Sequence, residues 1–190
     1  MNDTDELPFD KLRKPSEVAI RCVVLLGVVA AGHQQPRSEI VHWLRQYCLW
    51  DAVTPNEAAF LLSESPSQHQ TVDATWRAEA LYTLLWALHR LPTFISPTQQ
   101  CNLQQTTAAM PELYSDPSEF IASARLRDPQ SIYDVLDPIF HVHWEVRDAE
   151  IRGKPVPNGY DSGAVVERHY AYNWLTCWQD QEWDDVTTDT

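Results

Sequence analysis

A chain of 190 residues with 44% hydrophobic residues, 8 Trp, 7 Tyr and 5 Phe is long enough for one domain with a sizeable core. Its formal charge of -13 removes the usual basis for nucleic-acid or anionic-membrane binding, which rests on Lys and Arg contacts to phosphate. Four cysteines with no C-x-x-C pair give neither a zinc ribbon nor a disulfide framework, and only five glycines make a phosphate cradle improbable.

Residues 1–14 form an N-terminal extension, expected to be loosely held, because the first ten are acidic and carry no periodic apolar pattern. Residues 15–190 read as a single helical domain, with no strand alternation, internal repeat or linker. Pro15–Ala31 is apolar nearly all round, which predicts a central buried helix. Its segment CVVLLGVVAAG resembles a secretory apolar stretch, but acidic residues precede it and it is much shorter than the roughly 20 residues of a membrane span. A soluble, cytoplasmic protein is the expectation.

Proline then punctuates the chain. Thr54-Pro55, Ser96-Pro97 and Asp116-Pro117 each place a capping side chain before Pro, with Glu or Gln following as in a capping box. Asp128-Pro129 and Asp137-Pro138 repeat the first half of that pattern, and Lys14-Pro15 and Gln35-Pro36 open two more helices. Helix-period segments follow at Pro36–Cys48, Pro55–Ser63 and Val72–Leu91. Pro97–Gln105 and Pro117–Leu126 read as short helices, and Thr106–Ser115 as a loop. The prediction is an all-α fold of about seven to nine helices.

The last third has the most chemistry. Ile132, Val135, Leu136, Ile139, Phe140, Val142 and Val146 project onto one face, with His143 near its middle. Asp134, Asp137, His141, Glu145, Asp148 and Arg152 project onto the other, and Asp137 is expected to cap a helix or mark a kink. Asp161 is predicted to cap a helix through Trp178, with Val166, Tyr170, Trp174 and Trp178 as an aromatic ridge. Trp183 in the tail is expected to dock onto the helical body.

His141 and His143, two apart on a helix, point to separated directions and cannot share an ion, so no metal site and no cofactor is predicted. A core-facing His143 needs partners for its ring nitrogens, and Glu167, His169 or Asn173 from the following helix could supply them. These four are the candidate catalytic residues, as a buried Glu–His pair suits acid–base work. Within TWRAE, Arg77 and Glu79 do not face each other, and Arg147 or Arg168 is expected to answer Glu79. With 11 of its 14 basic residues Arg, the chain is also suited to Arg stacked among Trp rings.

The segments LWDAVTPNEAAFL, TWRAEALYTLLWAL, IFHVHWEVRDAEIRGKPVP, ERHYAYNWL and the terminal WDDVTTDT, in that order, resemble the bacterial domain-of-unknown-function family DUF4272. The resemblance runs from about Pro15 to Thr190, with a departure at His141, where the family more often has Arg. It implies a soluble bacterial helical domain and carries over no catalytic residue. Strong acidity and the absence of a recognisable catalytic motif point to a non-enzymatic protein-binding module. Its partner would be basic, a toxin or an effector, and its role that of an immunity protein or a secretion-system accessory. The rival readings are a hydrolase built on His143 and Glu167, and a small-ligand sensor with a Trp-lined core.

Overall fold

The computed structural model describes residues 11–190, all-α among those residues, with short 3₁₀ turns between helices. The expectation for residues 1–10 lies outside the described residues. Among the described residues nine α-helical segments follow in order: α1 (Pro15–Gly32), α2 (Arg37–Gln46), α3 (Pro55–Leu62), α4 (Gln68–Ala87), α5 (Leu103–Ala108), α6 (Ser118–Ala122), α7 (Pro129–Leu136), α8 (Pro138–Ile151) and α9 (Ser162–Leu175). α1 packs on α4, α4 on α9, and α9 on α8, so the two longest helices form the centre. α2, α3 and α6 also pack against α1.

The close packing is made possible by small residues. A Cβ on Gly32 would lie 2.9 Å from the Thr75 backbone nitrogen, so glycine sets the approach of α1 to α4. α1 is also the one helix among the described residues long and apolar enough to cross a membrane, yet 78% of it is buried within the fold. Its single basic residue is neutralised internally. Arg21 Nη1 donates to both Glu57 oxygens at 2.7 and 2.8 Å, and Nη2 to the Ala52 carbonyl.

The cap-Pro pattern is realised in full at α3 and α7, whereas Pro36 and Pro117 are themselves the N-caps of α2 and α6, without a capping side chain. Thr54 accepts from Glu57 N–H while Glu57 returns to Thr54 N–H, closing a capping box at α3, and Asp128 and Asp161 cap α7 and α9. Three expectations need correction. Ser96-Pro97 starts only a turn, and α5 begins instead at Leu103 with Asn102 as cap, running into the predicted 106–115 loop. α4 starts at Gln68, four residues before Val72, because Ser67 and Gln70 form their own capping box. α9 ends at Leu175, before Trp178, because Cys177 adopts φ 53 in the left-handed region.

Asp137 neither caps nor breaks. Its backbone is helical (φ -56, ψ -37), so α7 and α8 follow each other almost without interruption, and its side chain turns to Tyr172 instead. The apolar face predicted for this region is only partly buried, on both sides of that junction. Ile132, Leu136, Ile139 and Val146 are buried, whereas Val135 and Phe140 reach solvent.

Candidate functional site

α8 and α9 lie side by side, and the spacing of their polar residues decides what meets. His143 and His169 are both buried, and their Nδ1 atoms stand 2.8 Å apart with the rings edge to face at 83°. A contact between two Nδ1 atoms needs one N–H donor and one lone pair. One imidazole therefore donates its only N–H from Nδ1, with a bare Nε2, and the other accepts on Nδ1 and carries its own proton on Nε2. Both remain neutral near pH 7. Burial lowers His143 below the ordinary His range, and burial together with the neighbouring His143 pushes His169 down to about 4, against the raising effect of Asn173 and Asp137.

Asn173, one turn beyond His169, donates from Nδ2 to the Thr187 carbonyl at 2.8 Å and so ties the tail to α9. Glu167 does not join this group. Positions 167 and 169 are two apart on a helix and diverge widely, so Glu167 turns to α4 and accepts from Arg77 Nη1 at 3.1 Å. Burial there holds Glu167 above the usual carboxylate range against the opposing pull of Arg77. A His143–Glu167 acid–base pair is thus not assembled, which corrects the geometry assumed for a hydrolase.

Glu79 is answered by Arg168, at 2.8 Å from Nη2 and 2.9 Å from Nε, with both side chains buried. Arg168 also donates to the Ile95 and Gln99 carbonyls at 2.9 and 2.7 Å, so one guanidinium ties α9 to α4 and to the loop before α5. Arg147 pairs with Glu150 on its own helix at 3.3 Å. On the polar face Asp148 pairs with Arg152 at 2.8 Å. Among the described residues no group of three His, Cys, Asp or Glu is placed to hold a metal ion.

His169, but not His143, borders a cavity of about 340 Å³, lined also by Asn173, Tyr133, Asp137, Phe140, Tyr172, Thr176, Trp178 and Asp189. Tyr172 donates to Asp137 Oδ1 at 2.8 Å across the α8–α9 boundary. Burial and that carboxylate raise the Tyr172 phenol and keep it protonated. Sequence reasoning named two of these residues and missed the others. The signal was present: His169, Tyr172, Asn173 and Thr176 recur at i, i+3, i+4 and i+7, which puts all four on one face. Asp137 was obscured because Asp-Pro reads as a helix start.

The tail builds a second cluster. Trp183 is buried, with its ring edge to face against Tyr170 and Trp174 at 5.1 and 5.2 Å. The Arg21 and Arg77 guanidiniums lie 5.0 and 5.8 Å from its centroid. Asp184 beside it accepts from the Asn56 N–H at 2.9 Å, satisfying an otherwise open donor in the first turn of α3.

The family description "Domain of unknown function (DUF4272)" matches residues 4–186 of the chain. The chain belongs to the DUF4272 family. No curated protein and no solved structure matches it. Two of the segments quoted for the resemblance contribute to the two clusters: ERHYAYNWL carries His169, Tyr170, Tyr172, Asn173 and Trp174, and WDDVTTDT carries Trp183, Asp184 and Asp189.

Proposed function

We propose that this DUF4272 protein is a non-enzymatic binding module that receives a basic amphipathic segment of a protein partner on α8. The observation that carries this reading is the line of apolar side chains that α8 leaves in solvent. Phe140, Trp144 and Ile151 are 39%, 51% and 77% exposed, and at i, i+4 and i+11 they fall within one narrow stripe. Aromatic residues aligned this way are the anchors that helix-in-groove and peptide-binding surfaces use. On α7 and α8, Asp134, Glu145, Asp148 and Glu150 outnumber Arg147, with Arg152 just beyond the end of α8, and the whole chain stands at -13, so the complementary partner is basic. A bacterial immunity protein or a secretion-system accessory protein fits that description.

Trp144→Glu combined with Ile151→Glu tests the reading. Both sites are exposed, so the fold should tolerate the change within about 0.5 kcal/mol. A basic protein co-purifying with the native chain from its host, and lost from the double variant, supports the proposal. Equal recovery on both sinks it. For the immunity role, the native chain should restore growth to cells expressing a toxin encoded beside it, and the double variant should not.

A further inference from the structure

The cavity at the α8–α9 junction combines two features that together select a ligand. Four aromatic rings, those of Tyr133, Phe140, Tyr172 and Trp178, share it with two carboxylates, Asp137 and Asp189. The only imidazole on its wall, His169, is held neutral, and none of the lining groups is Lys or Arg. Asp137 is held directly and Asp189 through the backbone near it. The Tyr172 hydroxyl holds Asp137 at the wall, and Asn173 holds the tail at Thr187, two residues before Asp189.

The chemistry of the wall excludes most ligand classes. An anion would face two carboxylates with no cationic partner in the cavity. A purely apolar ligand would strip water from those carboxylates and return nothing to them. A cation satisfies both halves at once, since aromatic faces attract it through their quadrupole and the carboxylates neutralise it. A bulky, weakly hydrated ammonium head with alkyl substituents loses least on leaving water and makes most contact with the rings. At about 340 Å³ the space lies at the lower end of small-ligand sites.

We propose that this cavity binds an alkylammonium group, carried either by a small free amine or by a lysine side chain of a protein. The site shares Phe140 with the α8 stripe, but Trp144 and Ile151, the two residues replaced to test that stripe, line none of it. Loss of one activity therefore leaves the other measurable.

Titration calorimetry on the full chain with choline, with dimethylbutanol as its uncharged carbon analogue, and with a blocked lysine amide is the test. Choline should bind at least about tenfold more tightly than dimethylbutanol, a ratio equal to about 1.4 kcal/mol. Asp137→Asn, which keeps an oxygen to accept from Tyr172, should weaken choline binding about tenfold at an unchanged Tm. Trp178→Ala, at a half-exposed position, should do the same. Tighter binding of choline than of the lysine amide assigns the site to a free amine, and the reverse order assigns it to a protein side chain. Equal affinity for choline and dimethylbutanol would overturn the proposal, as would no heat from either amine at millimolar concentration. Binding that ignores both substitutions would overturn it too.

Discussion

The proton between His143 and His169 can be held by only one Nδ1 at a time, and both rings stay neutral because burial opposes a second proton. The sign of the resulting pH dependence is opposite to that of a salt-bridged histidine. Both folded-state values lie below the ordinary His value, so between roughly pH 6.5 and about 4 the unfolded chain binds more protons than the folded one. Stability is therefore fully present above about pH 6.5 and falls as pH drops toward about 4, by roughly 2 kcal/mol once solvent screening is allowed for. Urea midpoints across that range measure it. His143→Ala should lower stability at neutral pH by about 2 kcal/mol, because it leaves a void and an unpartnered His169 nitrogen, and should flatten the acid slope. Arg168→Met should cost about 3–5 kcal/mol by calorimetry, since Glu79 is left buried and unpaired.

At the scale of elements, the tail is a structural part of the α4–α9 packing. Trp183→Ala removes an indole held between two guanidiniums and two aromatic rings, and should cost about 3–5 kcal/mol in denaturant unfolding. Gly163→Ala probes the opposite end of α9. Its Cβ would come within 2.5 Å of the Trp76 ring, so an overpacking penalty of about 1–3 kcal/mol should appear as a lower Tm. These elements also show what the sequence made legible. Thr54, Asp128 and Asp161 were readable as caps because the side chain and the N–H it bonds are three residues apart. Ser96 has the same local grammar and starts no helix; the Ile95 and Gln99 carbonyls there accept from Arg168, about 70 positions away, a partner no local pattern reveals. The meeting of His143 with His169 was foreseeable from a buried ring needing a partner. The fate of Glu167 followed from the same two-apart rule that separates His141 from His143. The cavity was not legible as a whole, since it also depends on Asp137 facing α9 and on where the tail comes to rest.

At the scale of the whole molecule, charge sets the behaviour expected with a partner. Association through an acidic surface should weaken as salt rises, because screening at 0.15 M ionic strength acts over only about 8 Å. A basic partner's association rate should fall severalfold between low and physiological salt, with a smaller change in dissociation, readable by stopped-flow Trp fluorescence. Fold class was legible at this scale because burial patterns and caps are local properties. The order in which α1, α4, α9 and α8 stack was not, because it depends on which faces fit.

That order has a consequence for synthesis. α1, among the most apolar helices of the chain, leaves the ribosome early, yet α4 follows it by some 36 positions and Trp183, which covers Arg21, by 162. Arg13 likewise donates to the carbonyls of Leu175 and Gln181, so the start of the domain closes only on its far end. A nascent chain lacking Trp183 has nothing to complete that closure, and it exposes apolar surface of the kind that chaperones hold. Stalled chains ending before Trp183 should be cut readily by protease, and those with the tail clear of the ribosome should resist.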